Sequence, residues 1–161
     1  MNFGNLFNYG VDSAETDQEA LQFLPNWNDV KWRTLFKYTQ RRTFHKGEDI
    51  VQLGATDRNL LYLLDGQVEV LIPTGRRNQL KRTQLRNAGS LIGEQSFLEH
   101  KPRSATVRAT TDGILLSISP ENFEMLSVRE PQLAQEFILD LARTLSVKLR
   151  QANTLLSKAL G

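Results

Sequence analysis

The chain has 161 residues, 40% of them hydrophobic and 24% charged, a composition that suits one globular domain and leaves two cramped. It contains no cysteine, which excludes zinc–thiolate sites, iron–sulfur clusters, thiol catalysis and a disulfide framework. A net charge of +2 is too small to argue for nucleic acid, no apolar run nears the roughly 20 residues of a membrane span, and no basic, apolar leader opens the sequence. A cytoplasmic protein without membrane contact is the expectation.

Residues 1–19 are polar and aperiodic and read as a flexible arm, with the folded domain expected over 20–161. Before Lys31 stand five acidic residues (Asp12, Glu15, Asp17, Glu19, Asp29) and no basic one. Leu21, Leu24, Trp27, Val30, Leu35 and Phe36 suit one or two short N-terminal helices, interrupted at Pro25. After Phe44 the pattern turns to strands. Lys46-Gly47-Glu48-Asp49 is a turn, Ile50, Val51 and Leu53 make a short strand ending at Gly54, and residues 60–64 make another. Asp65-Gly66 closes that strand with a hairpin signal. Val68, Val70 and Ile72 alternate with their neighbours as a half-buried strand, and Pro73-Thr74-Gly75 marks the next turn.

Residues 76–86 carry five basic side chains (Arg76, Arg77, Lys81, Arg82, Arg86) and no acidic one. They read as a solvated hairpin or as a contact for an anionic ligand or partner. Two more apolar runs, 106–109 and 114–118, repeat the strand theme. Short strands with glycine-containing turns every 8–12 residues or so predict a mainly β fold with flanking helices, a jelly-roll barrel. Ser119 then caps a helix with Pro120 at its first position and Phe123, Met125 and Leu126 as its apolar face. Beyond Pro131, Leu133, Phe137, Leu141, Leu145 and Leu149 recur every four residues, and Ala152, Leu156 and Ala159 continue the stripe. A helix over 132–159 is about 42 Å long, more than a small barrel covers. Its outer half calls for a partner, most simply a second copy in a homodimer.

Catalytic and metal constellations are scarce. His45 and His100 are isolated, so a jelly-roll metalloenzyme, which needs clustered ligands, is disfavoured. No Gly-x-Ser-x-Gly elbow, Walker loop or Gly-x-Gly-x-x-Gly occurs. No enzymatic activity, metal or cofactor is expected. The segment Gly89-Ser-Leu-Ile-Gly93-Glu94-Gln95-Ser96-Phe97 and its continuation through Pro102-Arg103-Ser104-Ala105-Thr106-Val107 has the logic of an anion site. Gly93 admits close backbone approach, a short helical turn offers free N–H groups, Arg103 supplies a forked cationic donor, and Glu94 can grip a hydroxyl. A plain salt bridge between Glu94 and Arg103 is the alternative.

This stretch resembles the phosphate-binding cassette of cyclic-nucleotide-binding domains, Gly-Glu-x-Ala/Ser followed by Pro-Arg-x-Ala-Thr-Val, without a gap from Gly93 to Val107. Lys46-Gly47-Glu48, Gly54, Tyr62-Leu-Leu-Asp-Gly66-Gln-Val68 and Gly89 agree with the same family. From Arg103 to Val147 the order also looks like that of the catabolite activator proteins. The resemblance implies that Arg103 pairs with a cyclic phosphate and that the Ser96 and Ser104 N–H groups bond its oxygens. It further implies that Glu94 accepts the ribose 2′-OH beside the Gly93 backbone, and that Val70 lines the purine pocket. Occupancy would be converted into a movement of the C-terminal helix, read by an effector protein.

The chain departs from the pattern at Gln95, usually apolar, and at Phe97, usually a smaller aliphatic residue. Where the activators bring Thr and Ser to the adenine, the register gives Lys148 and Leu149 as the possible base lid. No recognition helix follows, so direct DNA binding is not expected. Ser104 favours cyclic AMP over cyclic GMP, since proteins selective for the latter tend to have Thr there. With no adenine-specific acceptor, both are expected to bind within about 1–2 kcal/mol. The rival readings are a non-binding dimerisation module with a degenerate pocket, and a cyclic dinucleotide sensor using the basic stretch.

Overall fold

The computed structural model of the chain describes residues 22–74 and 79–160. The arm over 1–19, with Arg76 and Arg77, lies outside them. Helix α1 (Asp29–Phe36) starts at Asn28, whose side chain accepts the Lys31 N–H at 3.0 Å, and buries Trp32 and Leu35. Eight strands follow: β1 (Gln40–Phe44), β2 (Asp49–Val51), β3 (Leu60–Asp65), β4 (Gln67–Thr74), β5 (Gln79–Asn87), β6 (Leu91–Ile92), β7 (Thr106–Ala109) and β8 (Gly113–Ile118). A short helix α2 (Glu94–Glu99) sits between β6 and β7, and α3 (Pro120–Arg129) and α4 (Pro131–Leu160) close the chain. The strands form two antiparallel sheets of four, β1-β8-β3-β6 and β2-β7-β4-β5, the expected jelly-roll barrel with helices outside it.

Strand β3 reads Leu-Leu-Tyr-Leu-Leu-Asp, apolar at every position but the last, because both of its faces are covered. Leu61 and Leu63 point into the barrel with Phe44, Val68, Val107 and Leu115. Leu60 and Tyr62 point outward, onto the helical layer of Phe23, Trp32, Phe97, Leu126 and Phe137. Leu63 and Leu115 are wholly buried partners across the β3–β8 ladder. Truncating either to alanine would cost about 2–5 kcal/mol.

Three features differ from the sequence expectation, the first being that residues 79–87, read as part of a solvated hairpin or an anion contact, form the strand β5. Residues 40–44 form a strand rather than the tail of a helical region; of Gln-Arg-Arg-Thr-Phe only Phe44 is buried, so no alternation announces it. Asp65-Gly66 does not close a hairpin, since β3 pairs with β8 and β6 while β4 pairs with β5 and β7. The turn instead carries the chain from one sheet to the other. Gly66, at φ +92°, fits because a Cβ there would lie 2.6 Å from the Asp112 carbonyl oxygen.

Helix α4 begins one residue before and ends one residue after the expected 132–159. It is clamped to the start of the described chain. The Leu24 N–H donates to Asp140 Oδ2 at 2.5 Å, and Arg143 donates to the Gln22 carbonyl at 2.6 Å. Leu24 holds φ +52°, a conformation that costs a leucine about 1–2 kcal/mol, and its buried side chain and the Asp140 bond hold it there. The neighbouring Phe23 N–H donates to the Gly89 carbonyl, and its ring meets Phe137 edge-on at 5.0 Å. The first described residues thus bridge α4 to the turn that leads into β6 and the cassette.

Candidate functional site

The cassette begins where β6 ends. Gly93 takes φ +83° and caps α2, whose first internal hydrogen bond runs from the Phe97 N–H to the Gly93 carbonyl. The N–H groups of Glu94, Gln95 and Ser96 are therefore not used within the helix. Phe97, the residue larger than the family pattern, is buried and packs edge-on against Phe123 at 5.6 Å. It ties α2 to the helical layer. His100, at φ +60°, ends the helix.

Opposite this helix stands Arg103, only 3% exposed. Its backbone is paired with the loop after β2, the Arg103 N–H to Ala55 at 2.8 Å and the Gly54 N–H to Arg103 at 2.9 Å. Its guanidinium is held by its edges: Nε to Asp57 Oδ2 at 3.2 Å, Nη2 to Asp57 Oδ1 and to the Asn59 carbonyl at 2.8 Å, and Nη1 to the Gly93 carbonyl at 3.4 Å. Of the five N–H donors of an arginine, that leaves one, on Nη1, for a ligand. Gly93 is required here, because a Cβ would stand 2.1 Å from Nη1. The plain Glu94–Arg103 salt bridge does not form. Arg103 takes Asp57, and Glu94 takes Lys148.

Lys148 Nζ lies 2.8 Å from Glu94 Oε1 and 3.2 Å from the Leu91 carbonyl. Burial draws the Lys148 ammonium below the usual lysine range, and the Glu94 carboxylate opposes that shift. Arg86, on β5, is drawn down in the same way by burial and supported by the same carboxylate; its side chain donates to Gln84. Ser104 Oγ donates to Gln95 Oε1 at 2.7 Å across the mouth.

These groups surround one cavity of about 650 Å³, within the range of small-molecule sites. Val51, Val70, Ile92 and Val107 form its apolar floor; Leu145, Lys148, Leu149 and Ala152 of α4 form one wall, and Gln84 and Arg86 another. All the residues singled out in the sequence (Val70, Gly93, Glu94, Ser96, Arg103, Ser104, Lys148 and Leu149) line it. Lys148 is turned onto Glu94, while Leu149 stays exposed. Sequence reasoning missed Asp57, which no motif marks, and Gln84; it has Arg86 only within a basic run read as a solvated hairpin or an anion contact, which hides its inward turn. Three cations (Arg86, Arg103, Lys148) against two carboxylates (Asp57, Glu94) leave a net charge of +1, matched by a monoanion. Among the described residues no group of three or more His, Asp or Glu is placed to hold a metal ion. No described helix is long and apolar enough to cross a membrane.

The family model of the cyclic nucleotide-binding domain matches residues 41–130, more than half of the chain. The chain belongs to the cyclic nucleotide-binding domain family. Within the family it is 33% identical over 116 residues to a cyclic AMP receptor protein of Thermus thermophilus, covering 72% of this chain and 51% of that one. It is 31% identical over 127 residues to a cyclic nucleotide-gated potassium channel of Mesorhizobium japonicum, covering 71% of this chain and 34% of that one. The chain thus spans a third to a half of the length of these relatives. Among solved structures, a cyclic nucleotide-binding domain from Methylobacillus flagellatus superposes with a TM-score of 0.77 at 22% identity, over 98% of this chain and 96% of that one. The catabolite activator protein of Thermus thermophilus gives 0.71 at 28% identity, over 84% and 61%.

Proposed function

We propose that this cyclic nucleotide-binding domain binds a cyclic mononucleotide, cyclic AMP or cyclic GMP, without acting on it chemically, and reports occupancy through α4. The single observation that carries this reading is the buried, pre-aimed Arg103 facing the free N–H groups of α2 in a cavity with one positive charge in excess. The cyclic phosphate lies against Arg103 and the Ser96 and Ser104 N–H groups, the ribose hydroxyl against Glu94, and the base over Val70 toward Leu149. A cyclic dinucleotide, with two phosphates, would leave a buried negative charge, which is costly. Base discrimination is weak, because the described cavity offers no acceptor placed solely for the adenine amine.

Helix α4 supports a homodimer as the means of output. Ile138, Ala142, Leu145, Leu149, Ala152 and Leu156 recur at alternating spacings of four and three, a coiled-coil seam. Leu149 and Leu156 are 63% and 59% exposed. Leu145, Leu149 and Ala152 also line the cavity, so ligand and seam share residues, and filling one shifts the other. A second copy would seat on that seam, and an effector protein would read the rearranged helix.

Calorimetric titration with cyclic AMP, cyclic GMP, adenosine and cyclic di-GMP tests the ligand class. Both cyclic mononucleotides should bind, within about 1–2 kcal/mol of one another. Adenosine should fail for want of the phosphate. Tighter binding of cyclic di-GMP, or none of the mononucleotides, would overturn the reading.

A further inference from the structure

Gln95 departs from the family pattern, and the structure gives it a partner. It is the second residue of α2, stands exposed at the cavity mouth, and faces Ser104 on the opposite wall, next to Arg103. Ser104 Oγ donates its proton to Gln95 Oε1 at 2.7 Å. A serine hydroxyl has one proton, so a Ser104 bonded in this sense presents only lone pairs to an incoming anion. A half-turn of the Gln95 carboxamide exchanges its oxygen for its nitrogen at nearly the same positions, about a torsion that is broad and roughly two-fold. Nε2 then donates to Ser104 Oγ, and the hydroxyl proton is released toward the cavity. An apolar side chain at this position does neither, and a carboxylate only accepts.

Resting on the reading of the cavity as a cyclic-phosphate site, we propose that Gln95 is a positioning residue that aims the Ser104 hydroxyl at the bound phosphate. In the free protein it holds the hydroxyl turned aside. In the complex its amide is reversed, and Gln95 donates to Ser104, which donates to a phosphate oxygen. The relay moves no covalent bond and needs no change in the backbone of α2.

The test is calorimetric titration of cyclic AMP into the wild type, Gln95→Leu, Gln95→Glu, Ser104→Ala, the Gln95→Leu/Ser104→Ala pair, and Arg103→Ala as the control for the site itself. Gln95→Leu and Ser104→Ala should each weaken binding about five- to tenfold, the net worth of one hydrogen bond. The pair should bind no more weakly than Ser104→Ala alone, since both substitutions break one relay. Gln95→Glu should lose about thirtyfold or more at pH 7, because a carboxylate holds the hydroxyl proton and repels the phosphate. That excess over Gln95→Leu should shrink as the pH falls toward the ordinary glutamate pKa of about 4.3, where the carboxyl becomes a donor. A structural role alone would not follow that pH profile. Both side chains are exposed, so the unfolding midpoints of the single variants should match the wild type. Wild-type affinity in Gln95→Leu, or a pair whose losses multiply, would overturn the proposal while Arg103→Ala still weakens binding about thirtyfold or more. Failure of the wild type to bind would overturn the reading of the cavity, and this proposal with it.

Discussion

Lys148 Nζ sits 2.8 Å from Oε1 of Glu94, so α4 is fastened to the cassette by an ion pair whose side chains are 18% and 13% exposed. Removing the lysine strands a mostly buried carboxylate. Lys148→Met should destabilise the domain by about 2–3 kcal/mol, somewhat under the range for fully buried pairs because some solvent reaches this one. Adding Glu94→Gln to Lys148→Met should recover part of the loss. Urea unfolding of the wild type, Lys148→Met, Glu94→Gln and the pair measures the coupling, and a Lys148→Met loss below about 0.5 kcal/mol would mean the pair holds nothing.

Gly93→Ala puts a methyl group 2.1 Å from Arg103 Nη1 and forces an L side chain to φ +83°. The guanidinium must leave its cradle of Asp57, Asn59 and Gly93. Affinity for cyclic AMP should fall about tenfold or more, as the energy of a displaced charged donor requires, with a loss of stability of about 1–2 kcal/mol from the backbone. Parallel titration and thermal unfolding check both effects.

Replacing Leu149 and Leu156 together with Glu places charge in the α4 seam, far from the core of the barrel. Sedimentation at tens of micromolar should show a dimer for the wild type and a monomer for the double variant, with similar unfolding midpoints. A wild-type monomer would contradict the seam.

Tyr62 stacks on Trp32 at 5.2 Å, and burial pushes its phenol pKa well above the ordinary value. Its folded pKa is raised, so its contribution to stability is whole below the unfolded value of about 10 and is lost as the pH rises through the folded one. Between those limits the unfolded tyrosine ionises and the folded one does not. The wild type should lose stability relative to Tyr62→Phe by up to about 1.4 kcal/mol per pH unit above pH 10. Urea unfolding at pH 8 and pH 11 reads the difference.

Most of the barrel is legible in the sequence because its strands bury residues in a regular way; β3, covered on both faces, reads as an unbroken apolar run. The exceptions are physical. Strand β1 is exposed along all but Phe44, and β5 is an edge strand with no buried residue, so neither leaves a hydrophobic pattern. Asp65-Gly66 shows that a turn motif specifies local backbone but not which strand its neighbour pairs with. In the site, Gly93, Glu94 and Arg103 are legible because they stand in one continuous motif. Their partners Asp57 and Lys148 come from distant segments, and only the fold brings a loop aspartate and a helical lysine to them. The register puts Lys148 on the α4 side of the cavity, but its carboxylate partner cannot be read from spacing.

The most direct measurement is calorimetric titration of cyclic AMP into the wild type and into Arg103→Ala. Asp57 is half exposed and tolerates losing its partner, so the variant should fold. The wild type should bind at one site per chain, and Arg103→Ala should lose about 2–5 kcal/mol, thirtyfold at the lower bound. Equal affinity in the two proteins, or no binding by a folded wild type, would contradict the assignment of the cavity as a cyclic-nucleotide site.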